Sequence, residues 1–109
     1  MNPLLISHAA DQDLIEVWRY VGVQEGDTNV AHRILVEIRD QLLALCRFPN
    51  LGVSCPEFEG YVTGVRAIQA GDYVIYYRNA TNEVQIGRMV HYRRERTKVI
   101  ENWRNSDRP

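Results

Sequence analysis

The spacing of hydrophobic positions changes after Pro56, from a helical period to an alternating one. Leu4-Leu5-Ile6 is a short apolar run that reads as a first strand. Leu14, Val17, Trp18 and Val21 then recur every three or four residues, which predicts a helix over about 8–22. Ser7 stands at its cap position, and Asp11 and Asp13 lie near the positive end of its dipole. Gly22 and Gly26 bracket a polar connection. A second helix follows from Thr28, its expected cap, to about Arg47, with Ala31, Ile34, Leu35, Ile38, Leu42 and Leu45 on one stripe. Pro49 and Gly52 end it. Two helices joined this closely pack as an antiparallel hairpin.

Beyond Pro56 the pattern alternates. Tyr61–Gln69 reads as a strand, with Val62, Gly64, Arg66 and Ile68 opposite Thr63, Val65 and Ala67. Gly71-Asp72 suits a two-residue hairpin loop, because glycine adopts positive φ without steric cost. Tyr73–Arg78 is aromatic and β-branched, Asn79–Asn82 reads as a turn, and Val84–His91 returns. The expected architecture is α+β: an N-terminal antiparallel helical hairpin packed on a small twisted antiparallel sheet, in the order β-α-α-β-β-β. Val99, Ile100 and Trp103 add a short C-terminal helix, with a frayed tail expected over 104–109. The 109 residues suit a single domain spanning 1–109.

Composition narrows the classes without naming an activity. Apolar residues make up 45% and charged residues 25%, a globular balance. No apolar run reaches the roughly 20 residues of a membrane span, and the start lacks a signal-peptide pattern, so a cytoplasmic protein is expected. Cys46 and Cys55 make neither a disulfide framework nor a zinc pattern. The net charge of −1 conceals a division: residues 1–60 carry four cations and nine acids, and residues 61–109 carry nine cations and five acids. Twelve of the 13 cations are arginine, whose planar fork suits carboxylates and phosphates. The basic second half points to an anionic partner, either an acidic peptide or a nucleic acid.

Familiar catalytic motifs are missing. The sequence has no Gly-rich phosphate loop and no GxSxG elbow, and His8, His32 and His91 fall in separate regions, so neither cofactor nor metal is expected. Asn79-Ala80-Thr81 fits a glycosylation pattern that a hairpin turn explains equally well. The informative cluster is Arg66, Tyr77, Arg88, His91, Arg93 and Arg94, on the last three strands or just beyond them. Arg88 shares strand parity with Ile86 and Val90, which sets a guanidinium on an apolar face. Such an arginine either pairs internally, with Glu59 or Asp72 as candidates, or lines a groove for a partner's carboxylate or phosphate.

The order of several short motifs is specific. Ser7-His-Ala-Ala-Asp-Gln-Asp-Leu14, Val17-Trp18-Arg-Tyr20, Phe48-Pro-Asn-Leu-Gly52, Gly64-Val-Arg66, Gly71-Asp-Tyr-Val-Ile-Tyr-Tyr-Arg78 and Val84-Gln-Ile-Gly-Arg-Met-Val-His91 occur in sequence. Together, from about Leu5 to Glu101, they resemble the ParE/RelE toxin superfamily, in particular its ParE or plasmid-stabilisation branch. The resemblance implies the same helical hairpin on an antiparallel sheet. It also implies a cognate antitoxin, a small acidic protein from the neighbouring reading frame, whose C-terminal segment wraps the toxin. ParE-branch members poison DNA gyrase, whereas RelE-like members cleave mRNA in the ribosome.

Against the RelE pattern the chain is depleted. Val65, Arg66 and Ala67 stand where its lysines fall, Val74 replaces a second-strand arginine, and Ile100 replaces a tyrosine, although Arg94 matches. The nuclease alternative therefore rests on Arg66, His91 and Arg94. Against the ParE pattern, Tyr92 replaces a small residue and Glu95 an aspartate. The expectation is a non-enzymatic gyrase inhibitor without catalytic residues, whose six clustered residues bind antitoxin or target.

Overall fold

The structure, a computed structural model, describes residues 1–106. The chain runs β1 (Leu4–Ile6), α1 (His8–Val17), α2 (Thr28–Arg47), β2 (Val53–Ser54), β3 (Arg66–Ala70), β4 (Tyr73–Ala80), β5 (Glu83–His91) and α3 (Arg96–Ser106). The architecture is α+β, in the order the sequence predicts. Strand order in the five-stranded sheet is β1-β5-β4-β3-β2. Two features enlarge the expected meander. β1 pairs with β5 in parallel, Leu4 opposite Val84 and Ile6 opposite Ile86, and the two-residue β2 extends the far edge beside β3.

Helix ends follow local chemistry. Ser7 Oγ accepts the Ala10 amide at 3.0 Å and donates to the Gly87 carbonyl at 2.7 Å, so one hydroxyl caps α1 and fixes it to β5. Asp27, not Thr28, caps α2, its carboxylate accepting the Val30 amide at 3.1 Å. The expected helix over 8–22 divides. α1 ends at Val17 and continues as a π-helical segment, Trp18–Gln24, in which the Glu25 amide reaches the Tyr20 carbonyl. Gly22, buried in that segment, lets α2 come so near that an added Cβ would lie 3.3 Å from the Ala31 methyl.

The sheet is covered on both faces. Ile38, Leu42 and Leu45 of α2 pack with Ala10 of α1 on Ile75, Tyr77, Ile86 and Met89. The opposite face carries Val99, Ile100 and Trp103 of α3 with Cys55, Phe58, Val62 and Val65, packed on Tyr76 and Val90. Residues 61–65 do not form the expected strand. A 3-10 turn over Pro56–Phe58 and further turns, with Gly64 at φ 75°, carry Val62 and Val65 onto this second core. β3 therefore begins only at Arg66.

The Gly71-Asp72 loop closes between the paired residues Ala70 and Tyr73, with Gly71 at φ 60°. At the other turn the ladder runs on to Ala80 opposite Glu83, leaving only Thr81-Asn82 unpaired, with Asn82 at φ 62°. Between them β5 bulges: Tyr76 faces Arg88 and Tyr77 faces Ile86, so Gly87 is the extra residue. A Cβ at Gly87 would overlap the Trp103 indole, which is why glycine stands there. Of the tail expected to fray, residues 104–106 are helical, and 107–109 lie outside the described residues.

Candidate binding groove and the arginine cluster

The bulge decides the fate of Arg88. Before it, Val84 and Ile86 face the helical hairpin; after it, Met89 does, so Arg88 turns with Val90 toward α3. There the guanidinium is buried in a network of its own. Nε and Nη2 donate to the two oxygens of Asp13, each at 2.8 Å, and Nη1 donates to the Val99 carbonyl at 3.1 Å and the Asn102 side chain at 3.2 Å. Asp13 also accepts the Met89 amide at 2.8 Å. β1 stops opposite Ile86, so beyond that point α1 covers the β5 edge and one carboxylate satisfies both the edge amide and the arginine. Arg88 joins α1, β5 and α3. Its partner is Asp13, neither Glu59 nor Asp72.

Arg66 and Tyr77 face each other across β3 and β4 and hold a loop. Arg66 donates to the Gly52 carbonyl at 2.8 and 3.1 Å and to the Asn50 carbonyl at 3.1 Å. The fully buried Tyr77 donates to the Pro49 carbonyl and accepts the Gly52 amide, both at 2.8 Å. The Phe48–Gly52 stretch is thus a tethered connection beneath which Gly52 leaves room for the phenol.

The other three residues reach the surface at the end of β5. His91 sits edge-on to Tyr73 at 5.6 Å and stacks on Tyr92 at 4.7 Å, while its Nδ1 accepts the Arg93 amide at 3.1 Å. Arg93 lies over the Tyr92 ring at 5.5 Å, and Arg94 is exposed beside it. α3 then begins under a glutamate cap: Glu95 accepts the Thr97 and Lys98 amides, and these backbone bonds, with the Lys98 amide first, hold its carboxyl below the usual range. Arg96 is occupied on both sides, paired with Glu57 at 2.8 Å and lying over Phe58 at 5.0 Å.

His91 and Arg94 also line a groove of about 860 Å³ between the helical hairpin and the β3–β4 loop. Its floor is apolar, from Val17, Val21, Val30, Ile34, Met89 and Val90. Its charged lining is mainly acidic: Asp13, Glu16, Glu25, Glu37 and Asp72 against Arg33 and Arg94. Burial, then Glu25 and Asp72, push the Tyr73 phenol up. Sequence reasoning missed these acids. One signal was present: Val30, Arg33 and Glu37 recur at helical spacing along the flank of the stripe that carries Ile34, Ile38, Leu42 and Leu45. Of the six clustered residues, the structure brings His91, Arg93 and Arg94 together and keeps Arg66, Tyr77 and Arg88 apart from them.

A helical hairpin on one face of a mixed sheet, with a third helix on the other, defines a small α+β fold of the toxin type. The family model for the ParE toxin of type II toxin-antitoxin system, parDE, matches residues 4–96, and the chain belongs to that family. A solved structure of the chromosomal ParDE TA system from P. aeruginosa contains a chain similar to this one at 25% identity and a TM-score of 0.66. That similarity covers 84% of this chain and 96% of the other. A search of curated proteins gave no match.

Proposed function

We propose that this ParE-family toxin inhibits DNA gyrase by binding it, without bond-breaking chemistry, and that a cognate antitoxin from the neighbouring reading frame neutralises it. The proposed setting is the cytoplasm, where such a pair stabilises the plasmid or chromosome that encodes it. No helix among the described residues is long and apolar enough to cross a membrane. The site consists of His91, Arg93 and Arg94, with Tyr92 beside them. Exposed guanidinia here suit acidic side chains of the antitoxin or carboxylates of the target.

One observation carries the non-enzymatic reading. Arg66, His91 and Arg94, the residues left for a ribosome-dependent nuclease, do not converge. Arg66 is level with Tyr77 while His91 is level with Tyr73, two strands away. At about 3.3 Å per residue and about 4.8 Å per strand their backbones are roughly 16 Å apart. The Arg66 guanidinium is moreover held by the carbonyls of Asn50 and Gly52. A phosphodiester gripped at one of these positions is out of reach of the other.

The test is a gyrase supercoiling assay with purified toxin, alongside an assay for cleavage of ribosome-bound mRNA. Supercoiling is expected to fall in a dose-dependent way and to recover when antitoxin is added. Undiminished supercoiling at saturating toxin removes the gyrase claim, and mRNA cleavage abolished by Arg94→Ala replaces it with the nuclease.

A further inference from the structure

The Phe48–Gly52 stretch combines a pinned backbone with apolar side chains held in water. Arg66 and Tyr77 grip it at Pro49, Asn50 and Gly52, and Asn79 donates to the Asn50 side chain at 2.6 Å. The Leu51 amide closes a turn on the Phe48 carbonyl at 3.0 Å. Yet Phe48 is 62% exposed and Leu51 51%, and Val53 on the edge strand β2 is 74% exposed. A surface connection without a binding role is ordinarily mobile and polar. Here the backbone freedom is already gone before any partner arrives. Preorganisation of this kind lets a few apolar side chains supply most of a binding energy.

Charge narrows the occupant. No aspartate or glutamate occurs between Asp40 and Glu57. Arg47 is exposed next to Phe48, with no acid paired to it among the described residues. The Arg66 guanidinium beneath the loop is met by carbonyls, which leave its charge in place. The surface is thus apolar and basic. A second copy of this chain brings the same cations and no acid to answer them, so self-association here is disfavoured. Two cations also fall short of the roughly four to eight that mark an anionic-lipid site. Apolar side chains fixed on a rigid loop require a cavity to enter. A wrapping antitoxin segment offers side chains instead, whereas a preformed cleft belongs to a folded partner.

Resting on the gyrase reading above, we propose that Phe48 and Leu51 dock the toxin on its target, entering an apolar cleft of that enzyme whose margin sets carboxylates opposite Arg47. This face lies at the Arg66–Tyr77 end of the β3–β4 ladder, and the His91–Arg94 ridge lies at the Ala70–Tyr73 end. Docking on the target and binding of the antitoxin are therefore separable by mutation.

The test measures inhibition of gyrase supercoiling by full-length toxin, with antitoxin affinity followed by titration calorimetry against the protein of the adjacent reading frame. The double variant Phe48→Ser/Leu51→Ser is expected to need about tenfold more toxin, or above, for half-inhibition. Its melting temperature should be nearly unchanged, because both side chains are exposed, and its antitoxin affinity should stay within about twofold of wild type. Arg47→Glu is expected to weaken inhibition and Arg47→Lys to retain it. Inhibition by the double variant at the wild-type concentration overturns this proposal and leaves the gyrase reading standing. Equal losses of antitoxin affinity and of inhibition overturn it too, since the surface then serves the antitoxin. So does binding of the wild type, but not the double variant, to phosphatidylglycerol vesicles while inhibition is unaltered, which assigns the loop to a membrane. Failure of the wild-type toxin to inhibit gyrase at all overturns the gyrase reading itself, and this proposal with it.

Discussion

Arg88→Ala separates two meanings of an arginine on an apolar strand. In the wild type its guanidinium makes two bonds of 2.8 Å to Asp13 and further bonds to the Val99 carbonyl and Asn102, with its side chain 7% exposed and that of Asp13 10% exposed. Truncation removes the cation and leaves the Asp13 carboxylate buried, still accepting the Met89 amide but no longer paired. Removing one member of a buried pair typically costs about 3–5 kcal/mol, mostly from the stranded charge. For 109 residues the unfolding entropy is about 0.23 kcal/mol/K, so the melting temperature should fall by roughly 13–22 °C. A total stability of about 5–15 kcal/mol leaves such a variant marginally folded. The assay is urea unfolding followed by circular dichroism, extended to a double-mutant cycle with Asp13→Leu and Arg88→Leu. The double substitution removes both charges and should be less destabilising than the two single changes summed. The reasoning fails if Arg88→Ala lies within about 1 kcal/mol of wild type and instead loses antitoxin affinity, for that is how a surface arginine behaves.

Three further outcomes follow from the packing and titration of the same elements. Gly87→Ala must displace the Trp103 indole, so unfolding should become easier by about 1–3 kcal/mol, with a red shift in the fluorescence of the buried tryptophan; an unshifted spectrum contradicts the close approach. Burial, reinforced by Glu57 at Cys55 and by Glu25 and Asp72 at Tyr73, raises the pKa values of both groups in the folded chain. The folded state thus keeps protons that the unfolded state releases, and stability should decline as pH rises through about 9–10, a slope that Tyr73→Phe with Cys55→Ala flattens in thermal melts. Glu95 behaves oppositely: the Lys98 and Thr97 amides depress its pKa, so its contribution is present above the ordinary carboxylate range and disappears on acidification. Glu95→Gln should remove that acid-side slope while α3 remains folded at neutral pH, as measured by exchange of the Thr97 and Lys98 amides.

What could be read from the chain alone was whatever neighbouring residues determine. The α2 stripe at Ile38, Leu42 and Leu45, the Gly71-Asp72 loop and the aromatic β4 strand are local patterns, and each formed as expected. The errors arose where a local pattern met a distant constraint. Alternation through Val62 and Val65 imitates a strand, but both residues serve a core supplied by α3, more than thirty positions later in sequence, and a turn delivers them to it. A single bulge at Gly87 reverses the face of every residue after it, so strand parity misplaced Arg88 relative to Ile86. What demands glycine at the bulge, the indole of Trp103, is likewise out of sight of any short window.

The charge balance misled for the same reason. The sheet half of the chain is basic by count, yet Arg88 is neutralised by Asp13, and Arg96 by Glu57, both from the acidic half. Arg66 is absorbed by backbone carbonyls. Among the described residues, the exposed cations of that half without an acidic partner are Arg93, Arg94 and Lys98, the first two next to a groove whose unpaired acids come from positions 25, 37 and 72. A net charge along the sequence therefore describes the partner poorly, because ion pairs within the fold cancel it unevenly. The fold therefore sets an exposed basic ridge beside an acidic groove lining, two adjoining surfaces of opposite sign that no count of charges along the chain separates.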